Sequence, residues 1–301
     1  MKLVVFGAGG QVGRELGRAP LPPAFKLLPF ARTEVDIGDK GAVFAALFAE
    51  KPDCVVNLAA YTAVDRAESE APRAWKVNCE GARNIAEACR GGGIPLIHLS
   101  TDYIFDGEKE GPYREDDAVH PQGVYGASKE AGERAVRALL SDHVILRTAW
   151  VFGAFGGNFV KTVLRLAAGA APLRIVKDQI GSPTPASEIA VAVAAIASMI
   201  REKRAVWGTF HFAGAPPTSW YGFAEAVLES AAPFLSGRTR LEAITTAEYP
   251  TPARRPKNSV LDCGKIAAAY GLQQPSWREG VAALVKELLV PAPAAKGKEA
   301  R

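Results

Sequence analysis

The chain opens on "KLVVFGAGGQVGRELGRA", in which an apolar strand pattern runs straight into a glycine-rich turn and then into a helix pattern. No other feature of the sequence restricts the fold as much. Gly7, Gly10 and Gly13 make Gly-x-x-Gly-x-x-Gly, with Gln11 and Val12 inside the motif. Glycines so placed permit a tight turn, let backbone approach a pyrophosphate and let a helix pack closely on a strand; the helix N-terminus adds free amides and partial positive charge. A glycine-rich string alone says little. Set between a first strand and a helix, it predicts a dinucleotide site. The spacing departs from the commoner Gly-x-Gly-x-x-Gly because position 12 is valine.

Downstream, the short apolar runs "KLLPFA", "CVVNLAA", "PLIHLS" and "HVILRTAWVFG" alternate with helical patterns such as "DKGAVFAALFAEK" and "AWKVNCEGARNIAEACR". Strands separated by helices predict βαβ units and a parallel sheet covered on both faces. The expected class is α/β, a Rossmann-type doubly wound parallel sheet with a smaller, irregular C-terminal substrate lobe. Residues 1–152 are assigned to the dinucleotide-binding domain. Residues 153–289, where glycine, proline and tryptophan become frequent, are assigned mainly to the lobe, with strands near 173–178 and 208–213 returning to the sheet. The Pro/Ala/Lys-rich tail, 290–301, lacks apolar periodicity and is expected to fray. A lobe over the carboxyl ends of the strands sits where open α/β sheets bind ligands.

Composition removes several other classes. A chain of 301 residues, 48% hydrophobic and 23% charged, can bury a sizeable core and is unlike a disordered protein. The net charge of +4 is dispersed, and its one tight basic group, Arg254, Arg255 and Lys257, is interrupted by a proline, so no nucleic-acid partner is expected. The four cysteines form no Cys-x-x-Cys pair and the four histidines have no metal-ligand spacing, which fits reduced thiols and no built-in zinc or iron. The apolar helix pattern from Ile189 to Ile200 falls short of the ~20 residues of a membrane span. The N-terminal apolar run is too short for a signal peptide. A cytoplasmic protein without a membrane partner is the expectation.

The second strand pattern ends in "FARTE", with Arg32 where an acid commonly binds the adenosine ribose. An arginine there suits a 2′-phosphate, so NADPH is expected in preference to NADH, although a solvated surface arginine would look the same. Asp36 and Ile37 follow and are placed beside the adenine.

"VYGASKEAGERAV" sets Tyr125 four residues ahead of Lys129 in a helical pattern, which stacks a phenol and an ammonium on one face. The pair reads as a proton donor with its tuner: the adjacent cation, together with an oxidised nicotinamide, would lower the phenol's pKa from its ordinary value toward the range of general acid/base work. "HLSTDYIFDG" places Ser100, Thr101 and Asp102 at the carboxyl edge of the fourth strand. Thr101, Tyr125 and Lys129, taken with the glycine turn, resemble the extended branch of the short-chain dehydrogenase/reductase superfamily. The blocks "GAGGQVGRELGR", "VNCEGARNIAEAC", "HLSTDYIFDG", "YGASKEAGE", "ILRTAWVFG", "DQIGSPT", "TSWYGFA" and "RRPKNSVLD" narrow the resemblance to the dTDP-4-dehydrorhamnose reductases, as far as about Leu289.

That resemblance implies NAD(P)H-dependent reduction of the C4 ketone of a dTDP-linked deoxyhexulose, giving dTDP-L-rhamnose. It implies that Tyr125 donates the proton, that Lys129 also holds the nicotinamide ribose, that Thr101 and Asp102 meet the substrate, and that Asn78 supports a proton-relay water. Asn57, Ala59 and Ala60 would run beside the cofactor, and Trp150 would stand at the sugar end. Arg254 and Arg255 are candidates for the diphosphate, which needs cationic partners. The plainer alternatives are that Trp150 is core, that Asp102 caps a turn and that the basic group is a solvated face. Some family members dimerise around magnesium held by glutamates, so a homodimer is admitted; the sequence identifies no such ligands.

Two rival readings share most of these motifs. Nucleotide-sugar dehydratases and epimerases are similar, but a dehydratase calls for a glutamate after Thr-Asp, where this chain has Tyr103. The non-catalytic β subunit of methionine adenosyltransferase also looks like these reductases, and the intact Thr101, Tyr125 and Lys129 argue against that role.

Overall fold

The alternation of strand and helix patterns becomes a parallel sheet in a computed structural model, which describes residues 1–290 apart from 170, 236 and 238. Its strands are β1 (Lys2–Phe6), β2 (Lys26–Phe30), β3 (Cys54–Asn57), β4 (Leu96–Thr101), β5 (His143–Thr148), β6 (Val151–Phe152), β7 (Leu173–Val176), β8 (Ile180–Gly181), β9 (Thr184–Pro185), β10 (Gly208–His211), β11 (Thr218–Ser219) and β12 (Leu241–Ile244). The α-helices are α1 (Gln11–Arg18), α2 (Lys40–Glu50), α3 (Val64–Ser69), α4 (Ala71–Trp75), α5 (Ala82–Gly92), α6 (Val124–Leu139), α7 (Phe159–Ala167), α8 (Ala186–Arg201), α9 (Trp220–Ala231), α10 (Gly264–Tyr270) and α11 (Trp277–Leu289).

Six strands lie side by side in the order β10, β5, β4, β3, β1, β2, and every neighbouring pair is parallel. The central strands read as unbroken apolar runs because helices cover both faces. On one side Leu3, Val5, Val56 and Val144 pack with Leu16 of α1 and Ile189 and Val193 of α8. On the other, Val4, Phe6, Val55 and Ile145 pack with Val43 and Leu47 of α2, Ile85 of α5 and Val136 of α6. Truncating a fully buried leucine such as Leu16 costs about 2–5 kcal/mol by transfer and cavity terms together. The strand order reverses where β1 lies between β2 and β3. A crevice opens at that reversal, at the carboxyl ends of the strands.

The strand expected to return to the sheet near 173–178 does not do so. β7 instead pairs in parallel with β12, Leu173 opposite Leu241 and Val176 opposite Ile244. Its burial fits the difference: Arg174 is exposed and Ile175 only half-buried, whereas a central strand between helix layers is buried along its length. β10 lies at the sheet edge beside β5.

The lobe has its own core, in which Phe152, Val160, Val163, Leu173, Phe223, Val227, Trp277 and Val285 pack together. α8 lies in the sequence range given to the lobe, yet it packs against the sheet. Its apolar pattern is thus explained by burial, and among the described residues no helix is long and apolar enough to cross a membrane. All four cysteines are buried and free. Of the tail, 290–301, expected to fray, all but Val290 lies outside the described residues.

Candidate active site

The glycine turn closes over the end of β1. Gly7 has φ +80°, and a Cβ there would lie 2.5 Å from the Ala59 amide nitrogen, so only glycine lets the turn lie against the chain leaving β3. Its amide donates to the Phe30 carbonyl at 3.0 Å, tying the turn to β2. Gly10 caps α1 and has no side chain to accept from the first amides. Those amides have no acceptor within the helix. Gly9, Gly10, Gln11, Val12 and Gly13 line a cleft of roughly 570 Å³.

A second recess of roughly 420 Å³ shares Gly9, Gly10, Leu58 and Ala60 with that cleft and continues past Ala31, Arg32, Thr33, Asp36, Ile37 and Ala59. The two make one groove along the carboxyl edge of the sheet. A dinucleotide has the same extended shape, and the helix-end amides near the middle suit its pyrophosphate. Arg32 is 60% exposed and lies 3.8 Å from Asp36, a loose pairing that leaves the guanidinium accessible.

Two expected site asparagines face inward instead of into the groove. Asn57 is buried; its Nδ2 meets His98 Nδ1 at 3.0 Å and its Oδ1 accepts from the Ala59 amide at 3.1 Å. Asn78, in a wide-turned π-helical segment, accepts from the Tyr61 amide at 2.8 Å and donates to the Tyr61 carbonyl and to Ser128 Oγ. Ser128 in turn donates to the Tyr125 carbonyl at 2.8 Å. Both side chains brace the chain after β3, and Asn78 links it to the first turn of α6.

At the other end of the cleft, Ser100, Thr101 and Asp102 from the end of β4 meet Tyr125 and Lys129 from α6. Thr101 Oγ1 donates to Asp102 Oδ1 at 2.9 Å. Asp102 does sit at the head of a short 3-10 turn, but it is Thr101 whose side chain caps that turn, accepting from the Tyr103 amide. Thr148 Oγ1, in the wall of the cleft, is buried without a partner, while the Ser100 and Ser259 hydroxyls sit close enough to the Glu133 and Asp102 carboxyls to stabilise their charge.

Burial governs the electrostatics here. Asp102 is pushed up to about 6 by burial, against the pull of the Ser259 and Thr101 hydroxyls and nearby amides. The Tyr125 phenol is raised by burial and further by Asp102 and Tyr103, while the Thr101 hydroxyl opposes the shift. Lys129 is not among the groups that shift the phenol; its Nζ donates to the Leu99 carbonyl. Burial brings Lys129 down to about 8, opposed by Glu133 one turn further along α6. Burial would raise Glu133, but Arg147, then Ser100 and Arg137, outweigh it and hold the carboxyl at about 2. The Glu133–Arg147 pair is fully buried, at 2.8 Å.

Trp150 lines the cleft as well, and the sequence reading missed its neighbour. Trp220, at the start of α9, lines the same wall, its indole stacked on that of Trp150 at 3.6 Å between centroids and 7° between planes. A tryptophan directly after the Ser219 cap in "TSWYGFA" was the available signal, and it carries no meaning until the lobe is folded. Tyr103 also lines the cleft, packed edge-on to Tyr125 at 5.5 Å. Arg255 is mostly buried and binds Asp65 at 2.6 Å and the Tyr103 hydroxyl at 3.3 Å. Arg254 is exposed and paired with Glu108 and Gln122. Both arginines line a separate recess with Tyr249, Thr246 and Lys257.

The sequence profile of the family described as RmlD substrate binding domain matches residues 1–290. A dTDP-4-dehydrorhamnose reductase of Aggregatibacter actinomycetemcomitans is 44% identical over 284 residues, which cover 93% of this chain and 97% of that protein. Among solved structures, a dTDP-4-dehydrorhamnose reductase of Clostridium acetobutylicum is similar with a TM-score of 0.89 at 36% identity, covering 96% of this chain and 99% of that one. The Bacillus anthracis protein of the same name, solved in complex with NADP, has a TM-score of 0.88 at 34% identity, covering 95% and 99%.

Proposed function

The chain belongs to the RmlD family of dTDP-4-dehydrorhamnose reductases, and from that premise we propose that it reduces the C4 ketone of dTDP-4-dehydro-L-rhamnose to the alcohol, with NADPH as reductant and Tyr125 as proton donor. The observation that carries this reading is convergence: Thr101, Asp102, Tyr125 and Lys129 reach one cleft whose far end is the glycine turn and the Arg32 recess. The nicotinamide supplies the hydride when bound. Everything else falls to the chain's own groups.

Reduction of a ketone needs a donor that is still protonated at neutral pH, and the burial that raises the Tyr125 phenol keeps it so. Thr101 has a hydroxyl beside that phenol to orient the ketone oxygen. Asp102, in the wall of the same cleft, suits a sugar hydroxyl. Lys129 carries its charge beneath the cleft, where it serves the cofactor ribose and favours transfer of the Tyr125 proton. The free amides of α1 hold the pyrophosphate, and Ala59 and Ala60 form a smooth wall beside it. Arg32 gives the preference for NADPH over NADH. Arg255, which reaches the hydroxyl of the cleft residue Tyr103, is the better placed of the two arginines for a substrate diphosphate, while Arg254 is exposed and turned to Glu108 and Gln122.

The test is NADPH oxidation in the presence of the product of the preceding 3,5-epimerisation. Turnover that yields dTDP-L-rhamnose supports the reading. Conversion with no net consumption of NADPH points to an epimerase or dehydratase, and the lack of any conversion overturns the reading.

A further inference from the structure

Trp220 takes no part in the chemistry above, yet its indole forms part of the same wall as Trp150. Trp150 has φ +46°, a conformation that a bulky side chain keeps only where its surroundings over-determine it. Those surroundings can be named. On one side is Gly181, where an added Cβ would lie 2.4 Å from Trp150 Cε2 and 2.7 Å from its Nε1. On the other is the Trp220 indole. The Trp150 carbonyl is held by the Thr184 amide at 3.2 Å.

Gly181 and Trp220 are themselves coupled. β8 pairs antiparallel with β11, setting Gly181 opposite Thr218, and β11 runs directly into α9, whose first residue is Trp220. Phe159 and Phe223 back the Trp220 ring at 4.7 and 6.1 Å. Trp150 leaves the sheet at the end of β5 and is gripped between a backbone and a ring that both come from the lobe. With both faces covered, the Trp150 indole meets the cleft by its ring edge, which bounds the space left for a pyranose beside Thr101 and Tyr125. The polar groups opposite it suit the ketone and hydroxyls.

We propose that Trp220 and Gly181 are positioning residues that clamp the Trp150 indole as a fixed wall for the hexulose ring, so that their geometry sets how tightly the sugar is held against Tyr125. The inference rests on the function proposed above. A stack that served only the lobe core would alter stability alone. A clamp alters sugar recognition and leaves the cofactor end untouched.

The test uses the full chain with Trp220→Ala, Trp220→Phe and Gly181→Ala. The expected result is a KM for the nucleotide-sugar ketone raised about 10-fold in Trp220→Ala, as for loss of an aromatic packing partner. Gly181→Ala should give a similar rise, and Trp220→Phe should recover most of the loss. The Kd for NADPH, measured by titration, should stay within about twofold of wild type throughout. KM unchanged in both Trp220→Ala and Gly181→Ala overturns the clamp while leaving the reductase reading intact. Parallel loss of NADPH binding makes the stack a folding element and also overturns the clamp. Failure of the wild-type chain to turn over the ketone is a separate outcome that removes the functional reading, and the clamp with it.

Discussion

Lys129 donates from Nζ to the carbonyl oxygen of Leu99 at 2.7 Å, so the ammonium beneath the candidate active site is anchored to the end of β4 rather than to the phenol it follows on α6. Lys129→Met should therefore lower kcat and weaken NADPH binding together. The pH dependence has a defined sign. The folded pKa is about 8 and the ordinary value 10.5, so between those values the unfolded chain binds more protons, and the lysine's penalty on stability is relieved as pH rises. Below about pH 8 the penalty is complete, and Lys129→Met should then be as stable as wild type or more so. Denaturant unfolding of both proteins at pH 7 and pH 10 checks this. A stability difference independent of pH would show that the buried ammonium carries no penalty.

Tyr125→Phe removes one hydroxyl and keeps the ring that packs edge-on to Tyr103. General acid catalysis contributes typically ~10² to 10⁴ in rate. A fall of at least ~10²-fold in kcat is expected, with NADPH binding nearly unchanged. Near-normal turnover would remove Tyr125 as the proton donor.

Asp102 combines a raised pKa, about 6 against an ordinary 3.8, with a place in the wall of the cleft. Because the folded pKa lies above the unfolded one, ionisation destabilises the native state fully above about pH 6 and not at all below about pH 4. Asp102→Asn should stabilise the protein at pH 7.5 by up to ~3 kcal/mol, lose that gain as pH falls through the window, and turn over more slowly. Thermal unfolding as a function of pH is the measurement. A gain that persists at pH 4 would trace to the amide's own hydrogen bonds.

Arg32 is exposed and only loosely paired with Asp36. Arg32→Ala should weaken NADPH by about 1–3 kcal/mol, as for a lost charge-assisted contact, and leave NADH almost unchanged. Added salt should narrow the wild-type preference. Equal NADPH affinity in the two proteins would place the guanidinium away from the phosphate.

The Glu133–Arg147 pair is buried and lies one turn from Lys129. Glu133→Gln leaves Arg147 without its carboxylate in a dry interior, and a loss of about 3–5 kcal/mol is expected. Glu133 titrates at about 2 when folded and 4.5 when unfolded, so its contribution is complete above pH 4.5 and fades toward pH 2. The wild-type protein should lose its advantage over Glu133→Gln in that acid range, as read by unfolding at pH 3 and pH 7.

The features legible in the sequence are those carried by local pattern: the glycine turn, the parallel sheet, and the meeting of Thr101, Tyr125 and Lys129 at one cleft. What escapes it depends on tertiary partners. "LRIV" reads as one more sheet strand until "LEAI" is seen beside it, and nothing in either run names the other. Asn57 and Asn78 fall in the expected segments, but only the packed structure shows their amides turned inward to hold the chain after β3. The stacking of Trp220 on Trp150 joins residues from separate parts of the fold, so spacing in the sequence cannot reveal it.

The sheet draws on residues well beyond its first five strands. α8 covers the face shared with α1, and β10 closes the edge beyond β5, although both follow the first residues of the lobe core. A gene fragment ending at residue 152 would therefore leave Leu16, Val56 and Val144 bare on one face and the β5 edge unpaired, an invitation to edge-to-edge aggregation. The nucleotide-binding half is not a portable module: during synthesis its groove must wait for residues up to at least His211 before the sheet beneath it is closed.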